Sequence, residues 1–104
     1  MKNTLNKYQV MVYPKALRDI DSIYQYIFKD LMEPSVAKKQ IDYIWDAIQS
    51  LETFPYAHQN RLVGRYALKD YRQLIVNIFL VIYKIDENNK IVNVVTVQYA
   101  GRNL

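Results

Sequence analysis

The chain has no cysteine, one histidine and two glycines, and each scarcity excludes a class of function. Without cysteine it has no disulfides, thiolate zinc sites or cysteine nucleophiles, which suits a reducing cytoplasm. The single imidazole, that of His58, excludes a multi-histidine metal site and disfavours a histidine-based catalytic triad. Gly64 and Gly101 are too few for a P-loop or a dinucleotide-binding fingerprint. We therefore expect neither a metal nor an organic cofactor.

Long apolar runs are also lacking. No stretch approaches the ~20 residues that cross a bilayer, and the first seven residues show no apolar signal-peptide region. We expect a cytoplasmic protein with no membrane partner. With 104 residues, 51% of them hydrophobic and 23% charged, the chain can form one domain with a substantial core, spanning residues 1–104.

The net charge of +4 lies entirely in the second half of the chain. Residues 1–54 carry seven Lys or Arg and seven Asp or Glu, which cancel. Residues 55–104 carry three acids and seven cations: Arg61, Arg65, Lys69, Arg72, Lys84, Lys90 and Arg102. A neutral half joined to a basic half indicates a scaffold with a face for a polyanion or an acidic partner.

The first half predicts one strand and two helices. Residues 8–13 alternate weakly, and Pro14 then opens a helix that is expected to run over residues 16–31. Its apolar face consists of Leu17, Ile20, Ile23, Tyr24, Ile27, Phe28 and Leu31. After a break at Pro34, a second helix places Ala37, Ile41, Ile44, Ile48 and Leu51 on one face. Two amphipathic helices with so short a break are expected to form an antiparallel hairpin, in which Trp45 either flanks the packing face or is an exposed anchor for a partner.

The second half predicts three strands. An irregular connection over residues 55–66 leads to strands at 67–76, 79–85 and 91–99, separated by tight polar turns. The strands are rich in β-branched and aromatic residues, as central strands are. The order β-α-α-β-β-β indicates the α+β class, with the helical hairpin packed on one face of an antiparallel sheet.

Arg72 is the best-placed cation of the basic half. In an extended strand its side chain shares a face with that of Leu74, and Gln73 points the other way. If Leu74 faces the helices, Arg72 does so too, near the sheet edge. Its guanidinium then either pairs with an acid at the rim or lines a functional groove. For His58 the alternatives are a surface or capping role and catalysis.

Four patches of the sequence together resemble the RelE/ParE superfamily of toxins from bacterial type II toxin–antitoxin modules. They are an opening Tyr-Pro-Lys-Ala-Leu-Arg-Asp-Ile at residues 13–20, Tyr-Arg-Gln-Leu at 71–74, Phe-Leu-Val-Ile-Tyr at 79–83 and a closing Tyr-Ala-Gly-Arg-Asn at 99–103. The resemblance runs from about Tyr8 to the end of the chain. It implies a growth-inhibiting toxin, of the kind tied to plasmid stabilisation, that is silenced by a cognate antitoxin encoded nearby.

The resemblance implies two competing activities. RelE-like members cleave mRNA in the ribosomal A site, and this is the activity we expect first, with ribosome and mRNA as partners. ParE-like members inhibit DNA gyrase and are not nucleases. In either case the toxin–antitoxin complex is expected to bind its operator DNA through the antitoxin. A non-toxic nucleic-acid-binding module is a further alternative, because basic charge alone predicts only salt-dependent binding.

Candidate site residues follow from the same resemblance. Cleavage at a 2′-OH needs a proton acceptor, a donor for the leaving oxygen and positive charge near the phosphorane. The catalytic candidates are Arg72, Tyr99 and Arg65. The candidates for contacts with RNA or a partner are Arg61, Lys69, Lys84 and Arg102.

Two positions depart from the RelE-like pattern. Many ribosome-dependent members have an arginine early in the middle strand, where this chain has Leu80. Many have a histidine near the end of the last strand, where this chain has Gln98. These departures weaken the mRNA-cleavage alternative and favour the gyrase-inhibitor alternative without deciding between them.

Overall fold

The computed structural model describes residues 7–30 and 33–100. One strand, a helix pair and three further strands follow each other, which confirms the α+β class. The elements are β1 (Gln9–Val12), α1 (Pro14–Gln25), a π-helical turn (Tyr26–Asp30), α2 (Pro34–Ser50), a 3-10 turn (Pro55–Ala57), β2 (Tyr71–Val76), β3 (Phe79–Asp86) and β4 (Ile91–Tyr99). Leu31 and Arg102 lie outside the described residues.

Both helices begin at a proline, Pro14 or Pro34, because a missing N–H costs nothing in a first turn. The first α-helix ends at Gln25, earlier than the periodicity predicts, and a wider π-helical turn carries the chain on to Asp30. That turn still places Ile27 in the core at 5% exposure. The two helices pack against each other, and no helix in the described ranges is both long and apolar enough to cross a membrane.

The four strands form one sheet in the order β1-β4-β3-β2. The last three strands are antiparallel neighbours, as expected. The first strand runs parallel to β4, so the sheet is mixed rather than antiparallel throughout. It pairs only from Gln9↔Ile91 to Val12↔Val94, so among the described residues no strand lies beside residues 95–99 on that side, and they face α1 instead.

The second strand begins at Tyr71, four residues later than the predicted start at residue 67. Leu68 and Asp70 have positive φ angles of 58° and 66°, and a left-handed backbone cannot continue a strand. The connection before them pairs alongside β2 instead. The Gln73 N–H donates to the Gln59 carbonyl at 3.0 Å, so part of the free edge of β2 is covered.

The two faces of the sheet are both buried near its centre. The helix-facing side forms the main core with the apolar stripes of the helices: Ala16, Ile20, Ile23, Ile27, Ala37, Ile44, Ile48, Leu51, Leu74, Phe79, Val81, Tyr83, Val92, Val94 and Val97. The opposite side is called the outer face here. At its centre Leu80, Ile82 and Thr96 are at most 1% exposed. Trp45 is 36% exposed, so a flank of the packing face and an anchor for a partner both stay predictions.

Candidate functional site

Arg72 lies on the helix-facing side of β2, because Leu74 faces the core two residues further on. Its Nη1 donates to the His58 carbonyl at 2.6 Å, and its guanidinium carbon lies 5.0 Å from the centre of the Tyr56 ring. No described carboxylate forms an ion pair with it. A backbone carbonyl and an aromatic face therefore hold this charge in place of an acid at the rim.

The neighbours of Arg72 are uncharged near neutral pH. Tyr83 is opposite Arg72 in the register, and its hydroxyl donates to the Pro55 carbonyl at 2.6 Å. Burial raises the pKa of Tyr83 to about 12. The His58 ring packs edge-on against Tyr83, and burial, with the nearby Arg72 charge second, lowers the pKa of His58 below 6.5. This end of the strand holds a closed, hydrogen-bonded cluster.

A second polar cluster continues outward from this one and was missed by the sequence analysis. Glu87 accepts hydrogen bonds from the Lys90 ammonium at 2.7 Å, the Tyr8 hydroxyl at 2.7 Å and the Tyr56 hydroxyl at 2.9 Å. These bonds, that from Lys90 above all, lower the pKa of Glu87 to about 2. They join β1, the 3-10 turn and the β3–β4 turn. No local pattern indicates them, since the tyrosines are 48 residues apart.

Arg61 is buried on the outer face, at 6% exposure. Its Nη1 donates to the Gln73 side chain at 2.9 Å, and its Nε has no hydrogen-bond partner among the described residues. Arg65, a catalytic candidate, and Lys69, a predicted contact residue, are both exposed in the loop that follows. Lys84 is exposed on the outer face, with its ammonium 5.1 Å from the centre of the Tyr71 ring.

Tyr99 lies at the opposite end of the sheet from Arg72. It pairs with Phe79, whereas Arg72 pairs with Tyr83, and four residues along β3 correspond to about 13 Å. Its ring packs against Phe79 at 5.2 Å and edge-on against Tyr26 at 6.4 Å. The three catalytic candidates are therefore divided among one end of the sheet, the other end and a loop.

An open groove lies beside Tyr99, between the first helix and the uncovered edge of β4. Its volume is about 760 Å³, and a smaller hollow of about 220 Å³ adjoins it. The two share Tyr26, Ile78 and Tyr99. The groove is lined by Asp19, Ser22, Ile23, Tyr26, Ile78, Val97, Gln98 and Tyr99.

Asp19 accepts a hydrogen bond from the backbone of β4 at one side of the groove. Its carboxylate accepts the Val97 N–H at 3.1 Å and the Thr96 hydroxyl, and it pairs with the Lys15 ammonium at 3.0 Å. The carboxylate thus substitutes for the strand that is missing beyond Val12. Helical periodicity places Asp19 off the apolar face, but nothing local indicates this contact.

Within residues 7–30 and 33–100 no three His, Asp or Glu side chains gather as metal ligands. The centre of the outer face carries Leu80 and Ile82, and Lys84 is the cation that the three strands place on that face.

A family model matches most of the chain. Residues 10–104 match the family model described as the ParE toxin of type II toxin-antitoxin system, parDE. No curated protein matches the chain.

Solved structures share the fold at low identity. The chromosomal ParDE system from P. aeruginosa is similar with a TM-score of 0.74 and 18% identity, over 90% of this chain and 97% of that chain. The RelBE2 complex from Mycobacterium tuberculosis gives 0.60 and 16%, over 89% and 98%. The archaeal RelE–RelB complex from Pyrococcus horikoshii OT3 gives 0.61 and 16%, over 92% and 98%.

Proposed function

This chain belongs to the ParE toxin family of type II toxin–antitoxin systems, and from that premise we propose that it arrests growth by binding DNA gyrase. In this proposal the toxin is a protein-binding inhibitor and not a nuclease. The separation of the candidate catalytic residues is the observation that supports it over ribosome-dependent mRNA cleavage.

Cleavage of a phosphodiester needs several groups within hydrogen-bond distance of the same reacting atoms. Arg72 is bonded to the His58 carbonyl on the helix-facing side, and Tyr99 lies about 13 Å further along the sheet. Arg61 is buried on the outer face. These placements do not offer one phosphate a shared cationic site, whereas a protein inhibitor requires only a complementary surface.

We propose the groove beside α1 as the binding site for the antitoxin. The solved relatives from M. tuberculosis and P. horikoshii are toxin–antitoxin complexes. An extended or helical segment with apolar anchors would cover Tyr26, Ile78 and Tyr99, which line the groove in the part of the chain that the structure describes. The surplus positive charge of residues 55–104 favours an acidic tail.

Two assays on the purified toxin test the proposal. We expect the toxin to inhibit the supercoiling of relaxed plasmid by gyrase. A stoichiometric amount of the antitoxin encoded beside it should restore the gyrase activity. We expect no cleavage of mRNA on programmed ribosomes at the same toxin concentrations. Ribosome-dependent cleavage with gyrase left fully active would reverse the assignment.

A cellular experiment separates the targets independently. After induction without antitoxin, thymidine incorporation should fall before leucine incorporation, because replication stalls first. Immediate loss of leucine incorporation with thymidine spared contradicts the proposal.

A further inference from the structure

The loop over residues 61–70 exposes an unusual set of apolar side chains. Among the large apolar side chains described, Leu68 and Leu62 are the two most exposed, at 86% and 67%, and Val63 is 55% exposed. Arg65 and Lys69 lie between and beside them in the same ten residues. Single exposed leucines are common, but three branched apolar side chains on one short loop indicate a contact surface. We call it the apolar-tipped loop.

The base of the apolar-tipped loop is anchored to β2. The Arg61 N–H donates to the Tyr71 carbonyl at 2.8 Å, and the Arg61 side chain lies buried against Gln73. Burying a cation without a described acidic partner is costly, so the contacts that hold Arg61 against β2 must offset that cost.

The tip of the loop is closed on itself. The Leu68 N–H donates to the Arg61 carbonyl at 3.3 Å, and the Ala67 N–H donates to the Gly64 carbonyl at 3.2 Å. Leu68 holds a φ of 58°, a region that disfavours a bulky side chain. A strained backbone conformation thus exposes this leucine. A loop that is already ordered also loses less conformational entropy on binding.

We propose that the apolar-tipped loop is the docking element for the toxin's protein target, inserting Leu62 and Leu68 into an apolar pocket with an acidic rim. The inference rests on the proposed function, since it assumes that the toxin acts by binding a protein. Arg65 and Lys69, against the single acid Asp70, give the exposed tip a positive balance that an acidic rim complements.

The charge and the position of this surface both argue against other binding partners. A second copy of the chain would bring two positively charged loops together, which costs association energy. Nucleic acid would use the two cations and gain little from leucine. The loop borders β2, at the opposite edge of the sheet from the groove beside α1 and β4. The proposed binding sites for the antitoxin and for the target are therefore distinct.

The test compares three full-length variants. The double variant Leu62→Ser/Leu68→Ser removes the apolar tip, Arg65→Gln/Lys69→Gln removes its cations, and Phe54→Ser replaces a 65% exposed aromatic outside the loop as a matched control. Growth arrest is titrated with inducer, supercoiling inhibition is measured with purified protein, and thermal unfolding by circular dichroism checks that each variant is folded.

We expect the leucine variant to lose about tenfold or more in potency, as buried interface anchors do, with its melting temperature unchanged. The cation variant should lose less, and the Phe54 variant should match the wild type. Full potency of the leucine variant overturns the inference, as does a larger loss in the cation variant, which is the result expected for nucleic acid. A wild-type dimer that the leucine substitutions dissolve also overturns it.

Failure of the proposed function gives a different result. If the wild type arrests growth without inhibiting gyrase, gyrase is the wrong target. Loss of arrest in the folded leucine variant then still supports the loop as the docking element for another protein.

Discussion

The two ends of the helix-facing side of the sheet differ in what they leave for a partner. At the Arg72 end the guanidinium, the Tyr83 hydroxyl and the Glu87 carboxylate all have partners within the chain. At the Tyr99 end the aromatic rings pack against each other but leave a groove of about 760 Å³ beside them. The Arg72 end has more charged residues, and its polar groups are hydrogen-bonded within the chain. The Tyr99 end has fewer charged residues and contains an open groove.

This difference shows that positive charge by itself does not mark an open surface. A cation in a loop or an edge strand can satisfy itself against a carbonyl or a ring, as Arg72 does with His58 and Tyr56. Surface left uncovered by the fold is a better indicator of binding. The comparison predicts that packing dominates stability at the Tyr99 end and hydrogen bonds dominate it at the Arg72 end.

The largest expected effect is at the Tyr99 end. Phe79 is 1% exposed, so Phe79→Ala leaves a cavity and should lower the free energy of unfolding by about 3–5 kcal/mol. Phe54→Ala makes the same change at a 65% exposed side chain and should cost less than about 0.5 kcal/mol. Urea unfolding of both variants measures the contrast. Equal costs would show that packing does not dominate at this end.

A smaller effect is expected at the Arg72 end. Tyr83→Phe keeps the ring but leaves the Pro55 carbonyl without its donor, which should cost about 1–3 kcal/mol. Tyr43→Phe, at a 44% exposed ring on α2, is the control and should change stability by less than about 0.5 kcal/mol. If chemical unfolding finds the two variants alike, the hydrogen bond at this end contributes nothing.

The smallest effects are pH-dependent and are expected from two groups at the Arg72 end. The pKa of Glu87 falls from 4.5 to about 2 on folding, so its stabilisation is complete above pH 4.5 and is lost as the pH drops toward 2. The pKa of His58 is also lowered, so the unfolded chain takes up that proton first, and stability decreases as the pH falls below 6.5.

Urea unfolding between pH 2.5 and pH 8 should therefore show two shallow decreases. Glu87→Gln should flatten the lower one and His58→Gln the upper one. A profile that neither substitution changes would mean that other groups carry the pH dependence.

Much of the fold was predictable because local signals and tertiary structure agree. Pro14 and Pro34 start helices, and most of the apolar steps that follow them are packed in the core. Leu17 and Phe28, predicted on the same face of the first helix, are instead 47% and 40% exposed. The start of β2 was not predictable, since Leu68 and Asp70 are ordinary residues that the anchored loop holds in left-handed conformations. The burial of Arg61 was missed for a similar reason, because it depends on tertiary contacts such as that with Gln73 and not on neighbouring residues.

By itself the sequence determined the α+β class, the order of the elements, the concentration of positive charge in the second half and the family resemblance. These depend on periodicity, breakers and composition, which act over a few residues or over the whole chain. The tertiary structure alone decided that β1 pairs with β4 in parallel and stops at Val12. That pairing leaves the edge on which the groove forms, and the strand register sets Arg72 and Tyr99 apart. Register and exposure depend on how distant segments pack, which no local pattern records.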